Sequence, residues 1–423
     1  MKFALPSYDQ ALKMVGDYVA RLGGFQPATE CVELGQASGR VLAHSLAADS
    51  DQPSFARSTR DGYACRAAEA STHAPLAING VIRAGDPPSG SLPPASAREI
   101  MAGAPVPNGA DAVMMYDRAE ATGAAKSRKV RLLQSHTLKP GENIVARGAQ
   151  ARAGDELLCA GVALHAGQIA LAAAYGYTAL NVFVRPRVAI LTTGDELVPV
   201  SSSPALGQIR NSNAPMLAAL VAAAGGEPWV LPAAADNAES LDAALAQVDS
   251  ADLLLTSGGV SAGKFDLVEA ALTRKRARFR FTGVRIRPGK PAVFGELPRG
   301  KGADSRALPF FGLPGNPIAS AVVFLLFAAP LLAALAGSRE TLPRFGLARL
   351  SLPVDRHGKA GFTRFLPAFC DFGAIPGHPP QLVPVPSHGS GDLAALACSN
   401  CFMVVPEGTR SLEAGSLVNI LLL

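Results

Sequence analysis

Apolar residues recur at helical spacing near the start of the chain. Ala11, Leu12, Val15, Val19 and Leu22 fall on one face within residues 6–22, which predicts an amphipathic helix. Residues 28–50 carry shorter strand and helix signals. From about 51 to 145 the apolar runs shorten to Leu76–Val81, Ala112–Met115 and Val130–Leu133. Turns such as Gly85-Asp86-Pro87-Pro88 and Leu92-Pro93-Pro94 separate them, which predicts a small β-rich module. Residues 161–181 read as an Ala-rich helix.

The next stretch alternates in type. Buried-strand runs at Arg187–Thr193, Trp229–Pro232, Asp252–Thr256, Phe279–Ile286, Ala292–Phe294 and Pro309–Gly312 are interleaved with helical patterns at Ala214–Ala224, Glu239–Val248 and Phe265–Thr273. Strands alternating with helices predict a doubly wound, mostly parallel α/β sheet. Ile318–Ala336 follows without a charge and is long enough to cross a bilayer. Ser320 and Pro330 interrupt it and Gly337 ends it, so a buried core helix is the better reading. Residues 345–423 return to short, Pro- and Gly-punctuated segments, expected to form a small β-barrel or sandwich.

Composition narrows the function classes. The chain has 423 residues, 48% hydrophobic and 17% charged, enough for several cores and unlike a disordered chain. A net charge of +5 and 6% aromatics give no footprint for nucleic acid. The start, with no long apolar run, does not read as a secretory signal. Six scattered cysteines suggest a reducing compartment rather than a disulfide framework. The lone Cys398-Ser399-Asn400-Cys401 has no second pair to complete a metal site and reads as small residues around a turn.

In an open α/β sheet, ligands bind beyond the carboxyl ends of the strands. Three polar loops follow such ends: Thr192-Thr193-Gly194-Asp195-Glu196-Leu197, the segment from Thr256 to Asp266, and Gly312-Leu313-Pro314-Gly315-Asn316-Pro317. Gly258, Gly259 and Gly263 let backbone N–H groups approach an anion, and Ser257 and Ser261 add hydroxyls. Glu196 and Asp266 supply carboxylates suited to Mg²⁺ beside phosphate. Arg287-Pro288-Gly289-Lys290-Pro291 sets two cations on a braced turn. A nucleotide or phosphorylated small molecule is the natural ligand, although neither a Walker loop nor a dinucleotide fingerprint is present.

Taken in order, Asp61-Gly62-Tyr63-Ala64, the run from Ala102 to Met114, Gly141–Gly148, the Gly194-Asp195-Glu196 loop, Gln208–Leu217, the Ser257–Asp266 loop, Arg287–Pro291 and Gly312–Pro317 resemble the molybdopterin molybdenumtransferase (MoeA) family. They also resemble the E domain of gephyrin. The likeness spans nearly the whole chain. It implies an elongated, L-shaped subunit of four parts: a stem from 1–50 and 145–183, an inserted β-rich module at 51–144, a MogA-like molybdopterin-binding α/β domain at 184–338, and a C-terminal β-barrel at 339–423. It further implies a cytoplasmic homodimer with the site at the subunit interface. A MogA-type adenylyltransferase would act upstream and molybdoenzyme chaperones downstream, with no nucleic acid or membrane involved.

The implied reaction inserts molybdenum from molybdate into adenylylated molybdopterin and releases AMP. By resemblance, Asp61, Glu196 and Asp266 are catalytic, and Glu196 and Asp266 hold Mg²⁺. Ser257, Gly258, Gly259, Ser261, Asp236, Pro314, Asn316 and Pro317 would bind the substrate. Arg287, Lys290, Pro291, Arg364 and Ser390 would bind molybdate. The chain departs from the family pattern at Ala102, Ala149-Gln150, Asn211, Arg287 and Ala319. The lost hydroxyl and carboxylates motivate an alternative, a weakened paralogue that binds or delivers molybdopterin or the finished cofactor. A different nucleotide hydrolase on the same fold would leave the segments around Asp61 and Ala102 unexplained.

Overall fold

The computed structural model describes residues 5–22, 27–88, 90–124, 127–258, 267–299, 306–355, 361–373, 377 and 379–423. They divide into two compact units, one of His44–Ala160 with Ala166–Thr178, the other of the remaining chain.

In the larger unit the first helix, α1 (Tyr8–Arg21), starts in a capping box: Ser7 accepts the Gln10 N–H while the Gln10 side chain accepts the Ser7 N–H. It buries Ala11 and Val15 of the face read from the sequence, together with Tyr18, while Leu12, Val19 and Leu22 are partly buried against the same core. A strand β1 (Thr29–Glu33) follows and is paired by a later strand of the same unit.

The smaller unit is built on a six-stranded sheet. Its strands are β2 (Gly62–Cys65), β3 (Leu76–Ile82), β4 (Ser96–Ile100), β5 (Ala112–Met115), β6 (Ala119–Thr122) and β7 (Lys129–Leu132), in the order β5-β2-β4-β3-β7-β6. Tyr63, Cys65, Leu76, Met114, Val130 and Leu132 form its core. The helix expected over 161–181 is shorter. The helix α2 (Ala166–Ala174) ends before Gly176, whose φ of +76° suits glycine. Ala179–Phe183 is instead a strand, β8, antiparallel to β1 with Val32 opposite Leu180. Its alternate residues Leu180 and Val182 are buried, a period of two that the preceding alanines mask.

The α/β sheet has the order β10-β9-β11-β14-β13-β12. These are β9 (Arg187–Thr192), β10 (Glu227–Val230), β11 (Leu253–Ser257), β12 (Arg278–Thr282), β13 (Val293–Leu297) and β14 (Leu308–Leu313). The first four strands in that order are parallel, while β13 and β12 run antiparallel at one edge. Both faces are covered, so the strands read as continuous apolar runs. Val188, Ile190, Leu253, Leu255 and Phe311 pack towards α3 (Asn213–Ala223) and α1. Ala189, Leu191, Leu254 and Phe310 pack towards α4 (Ala238–Leu245) and α5 (Leu267–Arg274).

The long apolar segment is one helical rod, α6 (Pro317–Leu335), 78% of whose most apolar stretch is buried in the core. Its middle, Phe324–Ala328, widens into a π-turn. Pro330 lies just beyond and has no N–H to give the carbonyl one turn back, which accounts for the break in register.

The C-terminal strands β15 (Phe345–Leu350), β16 (Thr363–Asp371), β17 (Gln381–Pro384), β18 (Cys401–Val405) and β19 (Leu417–Leu422) close into a five-stranded barrel. Its ring is β16-β17-β15-β19-β18, with β18 returning to β16. Closure leaves this ring no free edge. Cys401 sits in its core, where it packs with Cys370 and donates to the Ala368 carbonyl at 3.4 Å. Burial pushes its thiol up to about 12, so it is an inert packing residue.

Candidate functional site

The register of the α/β sheet sets its carboxyl ends abreast. Thr192 pairs with Ser257, and Ser257 with Leu313. The loops after β9, β11 and β14 therefore leave the sheet side by side. Thr193 donates its N–H to the Ser257 carbonyl at 3.0 Å, and Gly258 donates to Leu313 at 3.3 Å. Gly258 has φ of +101°, and a Cβ there would lie 2.4 Å from the Thr193 carbonyl oxygen. Gly315 approaches in turn, with its would-be Cβ 3.7 Å from Gly258 Cα. Only glycine permits this backbone packing at position 258.

Side-chain amides stitch the loops together. The Asn213 Nδ2, in the first turn of α3, donates to Ser257 Oγ at 3.0 Å and to the Gly315 carbonyl at 2.6 Å. Because Gly315 O can only accept, the amide orientation is fixed. Asn211 Nδ2 donates to Thr192 Oγ1 at 2.8 Å, and its oxygen accepts the Ala214 N–H at 3.2 Å. On the next loop, Asn316 stands at the N-cap position of α6 without a side-chain capping bond, and Pro317 begins the helix. Asn316 Nδ2 donates to Ser390 Oγ at 2.8 Å, and Ile318 donates its N–H to the Ser390 carbonyl at 3.0 Å. Ser257, Gly258, Pro314, Asn316, Pro317 and Ser390 thus form one cluster.

The carboxylates stand beside it. Gly194, at φ of +149°, lets the chain turn so tightly that a Cβ would lie 2.4 Å from Glu196 Oε2. Asp195 Oδ1 accepts the Asp236 N–H at 2.9 Å. The Asp236 carboxyl is pushed above the usual range, first by desolvation and then by the charges of Asp195 and Glu196. A divalent cation would relieve that crowding, and an all-oxygen donor set suits Mg²⁺. Among the described residues, however, no three acidic, His or Cys side chains converge closely enough to hold an ion. Asp266 lies outside the described residues, as do Gly259 and Ser261.

The cations approach from a different quarter. Ile286–Arg287 forms a two-residue strand parallel to β16, with Arg287 opposite Arg364. This corrects the single strand expected over Phe279–Ile286: β12 ends at Thr282, and Ile286 belongs to the barrel's sheet. Gly289, at φ of +114°, puts its would-be Cβ 2.8 Å from Ile286 Cδ1 and 2.9 Å from Val323 Cγ2. The turn is thereby seated on α6, with Arg287 and Lys290 exposed and Pro291 half-buried. Val323 lies about 10 Å along the helix from Asn316 at 1.5 Å per residue.

Asp61 belongs to the smaller unit. It is exposed at the start of β2 and accepts the Ala102 N–H at 2.7 Å. Gly62 follows because a Cβ there would lie 2.1 Å from the Met114 carbonyl oxygen. Ala102 therefore supports Asp61 through its backbone although it lacks a hydroxyl. Asn211 likewise retains a capping oxygen and gains a donor. Ala102 and Asn211 thus each keep a hydrogen bond within their own unit despite the departure. What the sequence did not single out is Asn213, nor Thr193, 4% exposed with a buried hydroxyl that finds no partner among the described residues.

Comparison with known proteins decides the family. Residues 6–176 match the model of the MoeA N-terminal region (domains I and II), 189–334 a probable molybdopterin-binding domain, and 349–423 the MoeA C-terminal region (domain IV). The chain belongs to the MoeA family. A molybdopterin molybdenumtransferase of Nostoc sp. is 33% identical over 99% of this chain and 94% of its own length. The Bacillus subtilis molybdopterin molybdenumtransferase is 35% identical over 97% of this chain and 94% of its own. A crystal structure of the Pyrococcus horikoshii molybdopterin biosynthesis MoeA protein is 29% identical with a TM-score of 0.71, covering 99% of both chains. The MoeA family thus accounts for both units and for the loops gathered at the end of the α/β sheet.

Proposed function

We propose that this chain acts in molybdenum cofactor biosynthesis as a molybdopterin molybdenumtransferase. It takes molybdenum from molybdate into the dithiolene of adenylylated molybdopterin, with hydrolysis of the adenylate and release of AMP. The register that lines up Thr192, Ser257 and Leu313 carries the reading, because it brings three polar turns to the edge where an α/β sheet binds ligands. Ser257 and Gly258, continued by Gly259 and Ser261, would cradle phosphate oxygens, with Pro314, Asn316 and Pro317 shaping the opposite wall. Arg287, Lys290, Pro291, Arg364 and Ser390 would receive molybdate, whose oxygens need cations and fixed donors.

Glu196 and Asp266 would hold Mg²⁺ with Asp236 alongside. When bound, the cation supplies electron withdrawal from the phosphoanhydride oxygens. The four-part division remains our reading of the two units. We also read the enzyme as a cytoplasmic homodimer, in which Asp61 comes to the α/β site from a second copy. A MogA-type adenylyltransferase would supply its substrate, and molybdoenzyme chaperones would take its product.

Reconstitution tests the proposal. Purified full-length protein given adenylylated molybdopterin, molybdate and Mg²⁺ should release AMP and yield cofactor that activates a molybdoenzyme lacking it. A folded protein that binds the substrate yet releases no AMP would reject turnover.

A further inference from the structure

The sheet of the smaller unit gathers several groups of one kind on one face. In the antiparallel pair β2/β5, Gly62 stands opposite Met115 and Tyr63 opposite Met114. Asp61 and Tyr116 are therefore neighbours just past the last pair. On the other edge of β2, Tyr63 stands opposite Glu99 of β4. Side chains alternate along a strand, so Asp61, Tyr63, Glu99 and Tyr116 share a face.

Their contacts agree with that placement. Tyr116 Oη donates to Glu99 Oε1 at 2.9 Å, and Arg128 donates to Glu99 Oε2 at 2.9 Å. The Tyr116 and Tyr63 rings make a T-shaped contact, with centroids 5.2 Å apart at 87°. Tyr63 is 4% exposed and Tyr116 is 40% exposed. The phenol of Tyr116 is held above the usual tyrosine range, first by desolvation, then by the bond to Glu99, with Asp61 contributing.

A surface tyrosine ordinarily leaves its hydroxyl in water and its ring free to turn. Here the hydroxyl is tied to a carboxylate whose second oxygen is neutralised by Arg128, and the ring is held in a T-shaped contact with Tyr63. The result is a rigid aromatic surface beside Asp61. A fixed ring loses little conformational freedom when a flat ligand lies against it.

We propose that Tyr116 is a substrate-contact residue whose ring stacks on a planar nitrogen heterocycle of the substrate, next to Asp61. This rests on the molybdenumtransferase reading and extends it with a subsite. Adenylylated molybdopterin carries two such rings, a pterin and a purine, and either could supply the same stacking chemistry.

The test uses full-length protein with Tyr116→Leu, which keeps bulk without an aromatic face, and Tyr116→Phe, which keeps the face without the hydroxyl. Circular dichroism and thermal melting establish that both fold. Calorimetric binding of AMP and, separately, of 6-hydroxymethylpterin then reads the subsite. Tyr116→Leu is expected to weaken one probe about tenfold while Tyr116→Phe stays within about twofold of the parent. The probe that is lost names the ring. With adenylylated molybdopterin, Tyr116→Leu should raise KM by a similar factor and leave kcat unchanged. Unchanged affinity of Tyr116→Leu for both probes overturns the proposal, as does failure of the parent to bind either. Equal loss in the Phe and Leu variants also overturns it, because the hydroxyl and its Glu99 tether would then matter rather than the ring. Failure of the parent to release AMP would reject the transferase reading instead, and the binding comparison would still stand.

Discussion

One amide nitrogen of Asn213 holds two loops at once, donating to Ser257 Oγ at 3.0 Å and to the carbonyl of Gly315 at 2.6 Å. Ser257 is 2% exposed, so its lost partner would not be replaced by bulk water. Asn213→Ala should cost about 1–3 kcal/mol in urea unfolding and reduce AMP release by more than it reduces stability. Asn213→Asp should be at least as damaging, since an ionised carboxylate cannot donate to Gly315. Wild-type turnover in either variant would show that the two loops keep their geometry without this residue.

Gly258 is closed to every other residue by backbone rather than by a movable side chain. Gly258→Ala must displace the Thr193 carbonyl, 2.4 Å from the added methyl, and must also adopt φ of +101°. The expected outcome is a stable but inactive protein or one that melts several degrees lower, read by calorimetry together with substrate binding. Gly315→Ala, with its nearest contact at 3.7 Å, should be much milder.

Asp236 lets the sign of a pH effect be stated. Its carboxyl is raised in the folded chain, chiefly by desolvation and then by Asp195 and Glu196. The native state therefore binds the proton more tightly than the unfolded state, and this group's contribution to stability falls as pH rises from the ordinary aspartate range through the raised value. Asp236→Asn should melt higher than the parent at pH 7, and the difference should vanish near pH 3. Mg²⁺ should stabilise the parent more than Asp236→Asn, as checked by melting with and without the ion or a chelator. An equal response would place the cation elsewhere.

Lys290 is exposed on a turn whose backbone is fixed by Gly289 against Ile286 and Val323. Removing its side chain should leave folding intact. Lys290→Ala is expected to raise the molybdate concentration needed for half-maximal cofactor formation about tenfold or more, consistent with loss of a charged partner of roughly 1.5–3 kcal/mol. Affinity for the adenylylated substrate should change little. A molybdate titration that overlays the parent's would remove Lys290 from the oxyanion subsite.

The strands β9, β11 and β14 were legible because both of their faces are covered, which leaves near-continuous apolar runs such as Val188–Leu191. The reading failed where two periods overlap. The alanines before Gly176 suit a helix, and nothing local marks Ala179–Phe183 as β1's partner until Leu180 and Val182 are seen buried on it. The polar loops were legible for the same reason as the strands, since each follows a strand end. Asn213 was not, because its partners lie 44 and 102 residues away. Arg287 and Arg364 were read separately from motif likeness. That they face each other across a parallel ladder is a tertiary fact that no local pattern encodes.

That ladder bears on how such a chain can be rearranged. Residues 286–287 come from the α/β portion of the sequence, yet their backbone is completed by the barrel. The terminal part is therefore no detachable appendage. Exchanging it for another would require rebuilding a strand of matching direction and offset, or the backbone pairing that sets Arg287 opposite Arg364 would be forfeited.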